Sequence, residues 1–183
     1  MDVNFKYQEA AAQEPIRIEQ VYAEKPGGGL VANPTFDAPA TTAVGEKDGK
    51  FVLIKAYRLV AAVAKADTNI SIAKGSGIAV GDIIATGKVG VACTAVDHSA
   101  EDKDVVTVTM GVNIENGKVL YQAKAANATN AEPIVTPVYV TGNKLYANQG
   151  DQAVRLINGA NLRKETANIA SEVAALLPTI QLV

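Results

Sequence analysis

The feature that most constrains this chain is its punctuation. From about Gly49 onward, short β-branched and aromatic runs alternate with turn signals at close intervals: "EKDGK", "HSAEDKD", "IENGK" with Asn116-Gly117, and "VTGNK" with Gly142-Asn143. The intervening runs are "KFVLIKAYRLVAAVA", "TNISIA", "DIIATGKVGVACTAV", "DVVTVTMGV", "GKVLYQA", "IVTPVYV" and "AVRLING". "TNISIA" alternates cleanly, and "DVVTVTMGV" puts Thr107 and Thr109 on one face. Short strands separated in this way indicate a small β-barrel or sandwich. At 183 residues the chain has room for one domain with appendages and a real core.

Composition narrows the function. The net charge is −2, with Lys and Arg scattered and outnumbered by Asp and Glu, so no electrostatic footprint for nucleic acid is present. A single cysteine, Cys93 in "VGVACTAV", excludes an internal disulfide and a Cys-based zinc site, and reads as a small buried hydrophobe. The start, "MDVNFKYQEAAAQEPIRIEQ", has no apolar core of a signal peptide. The longest apolar stretch is broken by Lys55, Arg58 and Lys65, so no membrane span is expected. Folding in a reducing compartment is the expectation.

Residues 1–46 differ from the rest. Pro15, Pro26, Pro34 and Pro39 flank the triple glycine Gly27-Gly28-Gly29, a pattern that suits neither a long helix nor a central strand. "PIRIEQVYAE" can pair as an edge strand, and "YQEAAAQE" is compatible with a short helix. The segment reads as an extended arm needing another surface to offset its ordering entropy, with a disordered tail as the alternative. Beyond it, the expected divisions are a β body over 47–124, additional short strands over 125–158, and a C-terminal helix and tail over 159–183. In "NLRKETANIASEVAALLP", Leu162, Ile169, Val173, Leu176 and Leu177 share one helical face; Asn161 can cap the start and Pro178 stops it. That stripe must meet either its own barrel or copies of itself, because so short a helix is marginal alone. "TIQLV" follows as an extended tail.

"KGSGIAVGDIIATGK" tempts a nucleotide-binding reading. A phosphate loop needs a helix directly after its glycines, with backbone N–H groups facing the anion. Here Gly81 to Gly87 encloses "DIIAT", Val89 follows Lys88, and the continuation is β-branched. Gly75, Gly77 and Gly81 are therefore expected to supply positive φ at turns and bulges. "DHSAEDKD", with four acids and the only histidine, matches neither a calcium loop nor a zinc pattern and reads as a solvated hairpin tip. Tyr121 and Tyr139 read as core or interface residues.

The run "ADTNISIAKGSGIAVGDIIATG" resembles the β-turn module of tailed-phage capsid decoration and fibre proteins, in which K-G-x-x-x-x-V-G-D follows an alternating strand. The "PVYV-x-G-N" segment, Pro137 to Asn143, and "GANLRKET", Gly159 to Thr166, are similar to segments of the head fibre proteins of phages and prophages of gut anaerobes. The resemblance implies a virion structural protein on the outer capsid surface. It would be made in the host cytoplasm, carry no catalytic residues and no cofactor, and be attached as a homotrimer to the major capsid protein or other head proteins through its N-terminal region. Candidate interface residues are Phe5, Tyr7, Ile16, Ile18 and Tyr22 in the arm, and Leu162, Ile169, Val173 and Leu176 in the stripe. Two other readings remain open. One is a β module binding a host-surface glycan or receptor; the other is a small β-barrel enzyme using His98 with Asp97 or Asp104.

Overall fold

The computed structural model describes residues 14–183. Its elements in chain order are β1 (Ile18–Glu24), β2 (Gly29–Val31), β3 (Ala43–Lys47), β4 (Lys50–Leu53), β5 (Ala56–Arg58), β6 (Asn69–Ala73), β7 (Ile83–Ala85) and β8 (Gly90–Ala92). They continue with β9 (Ala95–Asp97), β10 (Lys103–Thr107), β11 (Val119–Ala123), β12 (Pro137–Thr141), β13 (Gln152–Val154), β14 (Leu156–Leu162), α1 (Ser171–Ala174) and β15 (Ile180–Leu182). The fold is mainly β, with one short C-terminal helix, as the turn punctuation implies.

The two ends of the chain build one eight-stranded sheet, ordered β1-β14-β12-β3-β4-β2-β13, with β15 added parallel to β14. β1 and β2 run end to end along β14 and β13: Ile18 lies opposite Leu162, Glu24 opposite Ile157, Gly29 opposite Val154 and Val31 opposite Gln152. Because β2 also meets β4, the sheet curls into a half-barrel. We call this part the frame. Val44, Phe51, Leu53, Val154 and Leu156 fill one side of it, with Phe51 and Tyr139 edge-to-face at 5.7 Å.

Between β4 and β12 the chain makes a second β unit, here the insert. Its four-stranded sheet β5-β11-β7-β8 and three-stranded sheet β6-β10-β9 join through a bridge between Leu59 and Ile72. They close over Tyr57, Leu59, Ile70, Ile72, Ile84 and Leu120, with Cys93 buried among them. A further core, including Ala85, Tyr121, Val140, Ile157, Leu162 and Val173, bonds insert to frame.

Two features depart from the sequence reading. The expected helix over "NLRKETANIASEVAALLP" shrinks to Ser171–Ala174, and Asn161 lies inside β14 rather than capping a helix. Strand neighbours on both sides of β14 offer its backbone pairing that a lone amphipathic turn cannot match. Further along, the Asn168 side chain donates to Thr42 Oγ1 at 2.8 Å and its N–H to Thr41 Oγ1 at 2.7 Å, which draws this segment out of helical geometry. The expected tail "TIQLV" does become extended, as β15.

The second departure concerns the arm. Its described part, residues 14–46, lies on its own chain, supplying β1, β2 and most of β3. The edge-strand expectation for "PIRIEQVYAE" holds, since β1 is the outermost strand of the frame. The boundary at 46/47 falls inside β3 and the one at 158/159 inside β14. Composition there follows turn chemistry, whereas the fold follows long-range pairing. The proposed helix in "YQEAAAQE" lies almost wholly outside the described residues.

Candidate functional site

The glycine-rich run turns two corners and carries a charged residue at each end. Residues Ala79–Asp82 make a tight turn closed by Asp82 N–H donating to Ala79 C=O at 3.0 Å, with Gly81 at φ +92°. A type II turn demands positive φ at that position, and space is not the reason, since nothing lies within 4 Å of where a Cβ would stand. Gly77 differs. At φ +69°, a Cβ there would fall 2.4 Å from the Phe36 ring, so the insert can approach the frame only through a glycine.

Asp82 then serves as a hub. Its Oδ2 accepts from Lys55 Nζ at 2.8 Å, Tyr57 OH at 3.1 Å and the Ala79 N–H at 3.0 Å, while Oδ1 accepts from Gln122 Nε2 at 3.0 Å. The Lys55 and Asp82 side chains are only 13% and 12% exposed, a desolvation that four donors offset. Burial, then the charge and hydrogen bond of Asp82, push the Tyr57 phenol far above its ordinary value, so it remains a donor. Sequence reasoning saw Lys55 only as a break in an apolar run and Asp82 only as the end of a motif. The partners come from β4–β5 and β11, and local sequence carries no signal of that meeting.

Lys74, at the other end of the run, donates to the His98 and Ala100 carbonyls at 2.6 and 2.8 Å and pairs with Asp104 at 2.9 Å. Asp104 is buried, which corrects the picture of "DHSAEDKD" as wholly solvated, although the segment does form the β9–β10 hairpin tip. Burial raises the Asp104 pKa, but hydrogen bonds from Lys74 and His98, with their charges, outweigh it and hold the carboxyl below its ordinary value. His98 Nδ1 lies 2.8 Å from Asp104 Oδ1, with its side chain 58% exposed. The pairing that an enzyme would need therefore forms, yet it sits on an open hairpin tip away from the clefts described below. Burial pushes the Cys93 thiol up, against a nucleophilic role. Among the described residues no three His, Cys, Asp or Glu side chains gather as a metal site, and no helix is long and apolar enough to cross a membrane.

A cleft of about 900 Å³ opens where insert and frame meet. Tyr121 and Ala131 lie along it, and the Tyr121 hydroxyl donates to the Ala131 carbonyl. Lys118 and Glu172 pair in its wall at 2.6 Å. A second cleft, about 480 Å³, lies between the Glu115–Val119 turn and the Lys164–Ser171 segment and is lined by Arg58, Lys118 and Lys164.

The candidate interface residues divide. Phe5 and Tyr7 lie outside the described residues. Ile16 and Tyr22 are exposed on and beside β1, whereas Ile18 packs against the frame–insert core. Leu162, Ile169 and Val173 are buried in that core, so in a single chain they present no surface. Of the stripe, Leu176 alone faces outward, at the rim of the larger cleft. No family model matches the sequence, and comparisons with curated proteins and with solved structures give no match.

Proposed function

We propose that this protein is a virion structural component, a head fibre or decoration protein held on the outer capsid surface through its N-terminal region and assembled as a homotrimer. The supporting observation is the edge strand β1. Its outer edge has no partner among the described residues, and Ile16 and Tyr22 stand exposed along it. An unpaired edge with apolar side chains is a ready template for a neighbouring chain. The charged residues of the glycine-rich run also support a structural reading, since Lys74 and Asp82 spend their bonds fastening strands.

The fold dictates how this is tested. Removing residues 1–46 would take away β1, β2 and most of β3, so the informative change is made on the exposed edge itself. Replacing both Ile16 and Tyr22 with Asp should abolish binding to purified capsids while the body still unfolds cooperatively. Capsid binding that survives this double change, or a monomer by light scattering for the full chain, would overturn the proposal.

A further inference from the structure

An asparagine followed by glycine is open to attack on its own side chain, because no Cβ shields the glycine nitrogen and the glycine backbone turns freely. The sequence holds two such pairs, Asn116-Gly117 and Asn158-Gly159, and the fold treats them in opposite ways. Asn116 and Gly117 are exposed at the tip of the Glu115–Lys118 turn that leads into β11. Gly117 has φ +78°, nothing stands within 4 Å of its Cβ position, and the Lys118 N–H reaches the Glu115 carbonyl only at 3.4 Å. The Gly117 N–H donates to the Leu59 carbonyl at 3.1 Å, just beyond the last β5–β11 pair, Arg58 with Val119. Bonds at the frayed end of a ladder open at little cost.

Asn158-Gly159 lies inside β14, which β1 flanks on one side and β12 and β15 on the other. Gly159 is buried opposite Ala23, the Asn158 carbonyl accepts from Thr179 Oγ1, and the Ala160 N–H donates to the Thr179 carbonyl at 3.0 Å. Bringing the Asn158 side chain onto the following nitrogen requires this strand to leave its partners.

We propose that Asn116 is a site of spontaneous self-modification, in which the Gly117 nitrogen cyclises onto the Asn116 side chain and the ring hydrolyses to aspartate or isoaspartate. The Gly117 nitrogen, its proton taken by solvent hydroxide, bonds to Asn116 Cγ. The Cγ–Nδ2 bond breaks, and the nitrogen leaves as ammonia with a proton from water. Water then opens the cyclic imide. Addition at Cγ gives aspartate; addition at the main-chain carbonyl gives isoaspartate, with the chain running through the former side chain. The net change is water consumed and ammonia released, with no oxidation or reduction. Asn116 lines the cleft of about 480 Å³ together with Arg58 and Lys164, and Arg58 Nη1 donates to the Gly117 carbonyl at 3.1 Å. The modification therefore adds a carboxylate to a wall that already holds fixed cations, and its isoaspartate branch lengthens the turn between the Leu59 bond and β11.

The test is incubation of the folded full chain at neutral and mildly alkaline pH, followed by peptide mapping with mass spectrometry. The Asn116 peptide should acquire the mass gain of an amide-to-acid change and split into two isomers, faster at the higher pH. The Asn158 peptide should convert at least about tenfold more slowly, since it must first open a core strand. In guanidinium the two rates should converge, which assigns the difference to the fold. Asn116→Gln should keep its amide, leaving Asn158 as slow as in the parent. The proposal is overturned if Asn116 keeps its amide in the folded chain, or if Asn158 converts there as fast.

Discussion

Frame and insert are both β structures of short strands, yet they are assembled in opposite ways. In the insert, neighbours in the sheet are often neighbours in sequence: Ile84 pairs with Val91 across the β7–β8 hairpin, and Val106 with Val96 across β9–β10. In the frame, besides the β3–β4 hairpin and the nearer β12–β14 and β14–β15 pairs, pairing joins the two ends of the chain or spans the insert, as with Ile18 and Leu162 or Val44 and Tyr139. Closing such contacts costs loop entropy before they return any stability. The frame therefore depends on the whole chain, and the insert supplies much of its own order.

The comparison is best broken where each region is most committed. Asp82→Ala should have the largest effect, about 3–5 kcal/mol, because it strands Lys55 in a nearly buried position and unties β5 and β11 from the corner. Denaturant unfolding gives the magnitude; hydrogen exchange should show the loss centred on the insert. Leu162→Ala should cost about 2–5 kcal/mol and act on the frame, since this fully buried side chain sits where β1, β14 and β15 meet the shared core. Faster exchange in β1 and β15 than in β9 and β10 would locate it. Should both variants loosen all strands equally, the two regions form one cooperative unit and the distinction is only topological.

Gly77→Ala probes the seam itself. The new methyl would press on Phe36 at a positive φ, and a loss of about 1–3 kcal/mol is expected in the same unfolding assay. Asp104→Asn tests the hairpin tip by pH. A carboxyl held below its ordinary value contributes stability above its unfolded pKa, near 4, and that contribution is lost as pH falls through the lower folded value. The parent should therefore lose stability on acidification below about pH 4 more steeply than the variant, as followed by Tm against pH. Smallest of all, Arg163→Gln breaks an exposed pair with Glu19 that ties β1 to β14 and should cost about 1 kcal/mol or less, fading with added salt.

How much of this was legible follows the same division. The insert strands and their turns read directly from "TNISIA", "DVVTVTMGV" and "GKVLYQA", because alternation and turn chemistry are local properties. The corner glycines were legible for the same reason. β14 was misread in its second half: "NLRKETANIASEVAALLP" has helical spacing, and only the flanking strands override it. The Asp82 hub was invisible because its side-chain donors lie 27, 25 and 40 residues away along the chain.

By itself, then, the sequence determined that the chain would be a β protein, where it would turn, and which corners required glycine, since these depend on backbone sterics and side-chain alternation within a few residues. Tertiary structure alone decided that residues 14–46 join the C-terminal strands rather than stand apart, and that the last apolar stripe is mostly core. The physical reason is that a strand satisfies its backbone through partners chosen by the entire fold, and no local pattern names those partners.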